Sequence, residues 1–317
     1  MKITNKLKER FCNDCNIPIK IFEEPYFMDR LELLDDLYGT LNKWNLFLEE
    51  LKKYNSEQDY FEEYNRVKDE AINCIKNSEA YQKFNEEDMN KYRITHTNLP
   101  SKDIFHPSND GKTFISIDMK KANFSALQYY GDSIFKSMFA GASTWEDFIS
   151  LFTDNKHIIN SKYVRQVILG NCNAKRHITY EKYLMDNVLI ALYGYISKER
   201  VVFFSNDEII YDVTTFSNIS ALLKSVVHSI ERTLYRRVSI PLKVELFKLH
   251  KINGTNGYYK EIFTENNKTE IELKCVNNYM IPFIIRKLKG EDITDNDKVF
   301  YHEGLLAKFI ETPEIEV

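Results

Sequence analysis

The chain has 317 residues, of which 43% are hydrophobic and 28% charged, with 21 Phe and 20 Tyr. A chain of that size can build one large core or two to three smaller units, and its aromatic load supplies both core and stacking surface. The net charge of −4 excludes a chain-wide basic coat for nucleic acid, and five scattered cysteines exclude a disulfide framework.

Charge is nevertheless unevenly spread. Acids crowd residues 23–87, whereas Lys156, Lys162, Arg165, Lys175, Arg176 and Lys182 stand in a stretch with few acids. A polyanion is therefore expected to meet the middle of the chain. No signal peptide is visible and no apolar run is long enough to span a bilayer, so a cytoplasmic setting without membrane contact is expected.

Taken in chain order, residues 27–91 show Leu31, Leu34, Leu37, Leu41 and Trp44, Phe47, Leu48, Leu51 at helical spacing, which predicts two or three amphipathic helices. The segment around Asn98-Leu99-Pro100 and His106-Pro107-Ser108-Asn109-Asp110-Gly111 is rich in turn formers and reads as a connector. Thr113–Ile117 is a short β-type run ending at Asp118, followed by helical spacing over 122–139. Further helices are predicted at 144–152, 158–170 and 183–196. Val201–Phe204 and Ile209–Tyr211 form two apolar runs around Ser205-Asn206-Asp207-Glu208, a predicted hairpin. A helix over 219–234 and an alternating strand over 238–249 follow, then strands at 269–276 and 298–302 and a helix near 279–288. There is no internal repeat and no low-complexity tract.

Two acids thus stand at strand ends, Asp118 and Asp207, the second 89 residues after the first. Carboxylates so placed are the donors that hard divalent cations prefer, and a pair of such cations clamps the attacking and leaving oxygens of a phosphoryl transfer. The carbonyl of Met119 is a natural extra ligand. An Asp-Glu pair in a turn is, taken alone, more often a solvated turn. Here the flanking apolar strands place it near a low-dielectric core.

The residues carry a resemblance. Val201–Val213 resembles the third palm motif of family A DNA polymerases, the bacterial DNA polymerase I type, with Asn206 in place of that motif's His. Phe114-Ile-Ser-Ile-Asp118 and the helix after it are similar to the first motif. Met138-Phe-Ala-Gly141 with Trp145-Glu-Asp-Phe148 is similar to the family's next conserved region. Ser161–Gly170 falls where the family has its fingers helix. Val238-Ser-Ile-Pro-Leu-Lys-Val-Glu245 resembles the terminal palm strand, so the resemblance covers roughly residues 103–250.

That resemblance implies an α+β fold: a polymerase-like palm with an antiparallel sheet over residues 101–255, and short helical fingers at about 133–177. A helical N-terminal region over 1–100, thumb-like or partner-binding, precedes it, and a C-terminal extension of unassigned role covers 256–317. It implies a nucleotidyltransferase in which Asp118, Asp207 and Glu208 are catalytic, and Asp118, Asp207 and the Met119 carbonyl hold Mg²⁺ or Mn²⁺. Arg165, Lys162, Asn123, Leu169 and Asn173 bind the nucleotide, and Asn206 lies at the primer terminus. Arginine in place of the family's phosphate-gripping Lys is chemically sensible, because guanidinium binds phosphate bidentately. Partners so implied are nucleoside triphosphates, DNA or RNA, and a protein met by the acidic N-terminal helices. The format, without an exonuclease domain, suggests a virus or mobile element and hence an infected host cell.

The sequence departs from the family's pattern at several places. The two acids are closer in sequence than is usual, Leu169 replaces a Phe, Asn173 a Tyr, and Asn123 the Glu that excludes a ribose 2′-hydroxyl. The primer–template motif Thr-Gly-Arg is not recognisable in residues 92–110. A palm that binds nucleic acid or a polymerase without chemistry is the alternative, and a helical interaction protein with an unrelated α+β domain is a third reading. Cys12-Asn-Asp-Cys15 has the spacing of half a zinc site with no second half. Cys74, Cys172 and Cys275 read as packing residues. His96, His106, His157 and His177 read as surface or core residues, and Tyr129, Tyr130, Tyr180 and Tyr183 as core more than base-stacking platforms.

Overall fold

A computed structural model describes residues 2–231, 240–264 and 268–317. Residues 232–234 of the predicted 219–234 helix, and Val238 and Ser239 of the predicted strand, lie outside the described residues. The fold is α+β, with an antiparallel six-stranded sheet as expected.

The N-terminal region holds five helices: α1 (Asn5–Asp14), α2 (Tyr26–Tyr38), α3 (Thr40–Leu51), α4 (Glu57–Asn77) and α5 (Glu79–Glu86). Local chemistry sets their ends. Gly39, in the left-handed region at φ 59°, closes α2 and leads straight into α3. Ser56 and Asp59 form a reciprocal capping box at the start of α4, and Ser78 caps α5. The sequence expectation of two or three helices undercounts because it does not register the one-residue breaks at Gly39 and Ser78, and α1 precedes its window.

The sheet runs in the order β2-β3-β1-β4-β5-β6, formed by β1 (Thr113–Met119), β2 (Val201–Phe204), β3 (Glu208–Asp212), β4 (Leu242–Lys251), β5 (Tyr258–Phe263) and β6 (Thr269–Lys274). The boundary expected at residue 255 falls inside this sheet, between β4 and β5. Alternation assigns the faces: Ile115, Ile117, Met119, Ile209 and Tyr211 join the main core under the helices, while Phe114, Phe247 and Ile262 form a smaller cluster with Ile104. Ser116 and Asp118 lie on the Phe114 side.

Helices α6 (Ala122–Ser133), α7 (Trp145–Ile149), α8 (Lys156–Asn160), α9 (Lys162–Gly170) and α10 (Ala174–Leu192) lie between β1 and β2 in the chain, and α11 (Ile219–Ser229) between β3 and β4. Two differences from the sequence reading have clear causes. The helix predicted over 122–139 stops at Ser133, where the chain doubles back over Gly131: its carbonyl accepts the Lys136 N–H at 2.9 Å, and a Cβ there would sit 2.6 Å from the Lys136 carbonyl oxygen. The helix predicted over 158–170 is cut at Ser161, whose extended backbone ends α8 while its hydroxyl caps α9 at the Val164 N–H. The helix predicted at 183–196 instead begins at Ala174.

The C-terminal segment adds α12 (Ile281–Lys289) and a hairpin of β7 (Val299–His302) and β8 (Leu305–Lys308). It docks on α2. Arg30, buried, donates to the carbonyls of Asn296 (2.9 Å), Asp297 (3.3 Å) and Val299 (3.2 Å) and pairs with the Asp297 carboxylate at 3.3 Å. The N-terminal helices likewise pack directly on α8 and α9. Asp14 of α1, also buried, accepts from Tyr64 of α4 (2.8 Å) and Ser161 (3.0 Å) and meets His157 of α8 at 3.0 Å.

Candidate functional site

Strand register brings the two expected acids together. Asp118 is the partner of Glu208 on β3 and of Lys243 on β4, and the Met119 N–H donates to the Asp207 carbonyl at 2.8 Å. Acids 89 residues apart in the chain thus share one end of the central strand. The turn that presents them is held by Ser205, whose hydroxyl reaches Asp207 Oδ1 at 3.0 Å and accepts the Glu208 N–H at 3.0 Å. Across the strand, Ser116 Oγ donates to Glu208 Oε1 at 2.6 Å.

The electrostatics follow from this crowding. Burial, then the carboxylates of Glu208, Asp207 and Glu245, push Asp118 up to about 7, against a smaller opposing pull from Lys243. Lys243 is itself ion-paired with Glu245, so much of its charge is already engaged. A carboxylate facing three others is a site where a bound cation has the most to neutralise.

Around this centre the structure places the remaining expected residues unevenly. Asn206 is half-buried in the hairpin turn, and Asn123 is half-buried in the first turn of α6. Lys162 is exposed on α9, one turn from half-buried Arg165, whose pKa burial lowers and Glu146 raises. Glu146 pairs with Lys121, three residues after Asp118. Leu169 is fully buried and offers no surface to a ligand; its carbonyl faces His177 Nε2 at 3.3 Å. Asn173 sits in the left-handed region at the start of α10 and donates to Asn85 of α5 at 2.6 Å. Leu169 thus serves packing, whereas Asn173 is exposed.

Four further residues belong to the site. Ser116, Lys243 and Glu245 surround Asp118 on its own face of the sheet. Ser116 was findable by i, i+2 alternation from Asp118, whereas Glu245 and Lys243 emerge only from the β1–β4 register. Glu181 on α10 is the fourth: buried, 3.0 Å from His177 Nδ1, and raised in pKa by burial, with Asp207 adding to the effect. A cleft of about 560 Å³, lined among others by Lys243, Glu245, Glu272 and Lys289, opens beside this end of the sheet.

The donor set fits a hard divalent cation in chemistry, being carboxylate oxygens from Asp118 and Asp207 with a main-chain carbonyl at Met119. Among the described residues, no group of three or more His, Cys, Asp or Glu side chains is arranged as a metal site. Cys12 and Cys15 do not point to zinc: both are free, and burial pushes their thiols up, Cys15 to about 12. No described helix is long and apolar enough to cross a membrane. No family model, curated protein or solved structure matches this chain.

Proposed function

We propose that the protein is a nucleotidyltransferase with a reduced palm resembling that of family A DNA polymerases. The observation that carries this reading is the pairing of Asp118 with Glu208 beside the Asp207 turn, which gathers carboxylates from separate strands at one sheet end. Asp118 and Asp207 would hold Mg²⁺ or Mn²⁺, which when bound supplies charge neutralisation for attack on an α-phosphorus. Glu208, fixed by Ser116, keeps the turn in register with β1. Arg165 and Lys162 meet the triphosphate. Nucleoside triphosphates and DNA or RNA are the substrates on this reading.

A second reading draws on the expected fingers: Leu169 is committed to packing, and α8 and α9 are clamped to the N-terminal helices through Asp14. These features favour a palm that binds nucleic acid or a polymerase without turnover. Incubation with Mg²⁺ or Mn²⁺, each NTP and dNTP, and primed or unprimed DNA and RNA separates the two. Incorporation abolished by Asp207→Ala supports the enzyme; no product in any condition, with nucleic-acid binding unchanged by the substitution, leaves the binding protein.

A further inference from the structure

A second arrangement of catalytic type lies at the opposite end of the β2–β3 hairpin. Asp186 of α10, buried, accepts the backbone N–H groups of Thr95 (2.8 Å) and His96 (3.2 Å). The same carboxylate holds His96 Nδ1 at 2.7 Å. With its Nδ1–H directed at Asp186, the imidazole presents Nε2 as an acceptor, and the hydroxyl of Tyr193, the residue that closes α10, donates to it. Carboxylate, imidazole and hydroxyl thus stand in the order of an acid that orients a base that activates a nucleophile. Burial, with Asp186 and Glu199, raises the Tyr193 phenol, so it stays protonated and needs that base to react.

We propose that Tyr193 is an acceptor hydroxyl for nucleotidyl transfer from a nucleoside triphosphate, with His96 as general base and Asp186 as the residue that positions it. The inference rests on the nucleotidyltransferase reading and names that activity's acceptor. Three observations favour it. Clamping of residues 95–96 is already achieved by Asp186, and does not call for a hydroxyl on the far nitrogen of the imidazole. Tyr193 is 37% exposed, and His96 lines a cleft of about 460 Å³ with Asn98, Pro100, Val201, Lys198 and Glu199, in which Lys198 supplies positive charge for a phosphate chain. And residues 92–110, which lack a recognisable primer–template motif, are the segment that carries His96.

The phenolic oxygen forms a bond to the α-phosphorus as its proton passes to His96 Nε2. The bond from the α-phosphorus to the bridging oxygen breaks, and pyrophosphate leaves with the electron pair. Val201 pairs with Tyr211 near Tyr193, whereas Phe204 pairs with Ile209 near Asp207. The two ends are separated by about three residues of strand, roughly 10 Å. Transfer therefore runs between two copies, from the Asp118–Asp207 end of one chain to Tyr193 of another.

The test uses the full chain with α-³²P-labelled NTPs and dNTPs and Mg²⁺ or Mn²⁺, read on denaturing gels and by peptide mass. A nucleoside monophosphate on Tyr193 is expected, absent in Tyr193→Phe and lowered about 100-fold or more in His96→Gln. Tyr193→Phe removes one oxygen, and its melting temperature is measured alongside as the control for folding. Asp207→Ala protein should be labelled only when mixed with Tyr193→Phe protein. Extension of an added primer without label on Tyr193, or label indifferent to His96→Gln, overturns the inference alone. Label on Asp207→Ala protein by itself overturns its dependence on the palm acids. Absence of both label and primer extension overturns the nucleotidyltransferase reading with it.

Discussion

Asp118 faces Glu208 directly across the β1–β3 pairing, and Ser116, two residues earlier on the same face, donates to that Glu208 at 2.6 Å. Two carboxylates are thus held opposite each other with only one of them given a neutral donor. Like charges placed across a strand pair repel, so this end of the sheet costs stability that protonation of Asp118 or a bound cation recovers.

Asp118→Asn should therefore stabilise the metal-free protein while abolishing incorporation. The expected gain at pH 8 is about 1 kcal/mol, discounted for the partial exposure of the group. Chemical denaturation of both proteins in EDTA measures it. A loss of stability in the Asn variant would show that the Asp118 carboxylate is already compensated within the chain.

Stability should also depend on pH in a definite sense. The Asp118 carboxyl is raised from 3.8 to about 7 in the folded chain, so between those values the native state holds more protons than the unfolded one. Its contribution to stability must then fall as pH rises from about 4 to about 7, and level off above. Melting temperatures across that range, compared between wild type and Asp118→Asn, isolate this group; the difference between the two proteins should be smallest near pH 4. Millimolar Mg²⁺ should raise the wild-type midpoint at pH 8 and leave the variant unmoved.

Arg165 and Lys162 should separate in kinetics. Arg165 is half-buried, so its side chain has less freedom to lose on gripping a phosphate, whereas Lys162 is solvated. Arg165→Ala should cost about 10- to 100-fold in kcat/KM for the nucleotide, of the order of a lost charge-assisted contact. Lys162→Ala should cost a few-fold at most. Equal effects would place the triphosphate elsewhere on α9.

How much of this was legible beforehand divides along a physical line. The hairpin, the β1 strand and the acids at their ends are readable because short runs of β-branched and aromatic residues bounded by turn formers mark strands. The convergence of Asp118 with Asp207 followed from the resemblance, but Glu245 and Lys243 required knowledge of which strand lies beside β1. Strand neighbours are a tertiary choice with no local signature. The breaks at Gly131 and Ser161 were hidden for a related reason: each is made by one residue whose partner, Lys136 or Asp14, decides whether the helix continues. The C-terminal segment read as an appendage because β5 contains Lys260 and Glu261 amid its apolar residues, although Lys260 is buried 4.6 Å from the Phe247 ring centre and 3.6 Å from Glu272.

The buried Asp14 joins α1, α4, α8 and α9, and its removal is expected to be the most damaging of the changes considered. Its carboxylate satisfies Tyr64 Oη, Ser161 Oγ and His157 Nε2, with Arg10 3.7 Å away, and is almost wholly out of solvent. Asp14→Ala strands three buried polar groups at once, whereas Asp14→Asn keeps an acceptor for one or two of them. About 3–5 kcal/mol should be lost in the first case and about half of that in the second. The loss should be structural first: hydrogen exchange should accelerate in α8 and α9 before it does in β1 and β4, because the sheet has its own contacts. Uniform acceleration across α8, α9 and the sheet would mean that they unfold as one unit. Exchange unchanged in α8 and α9 would mean that Asp14 does not hold them against the N-terminal helices.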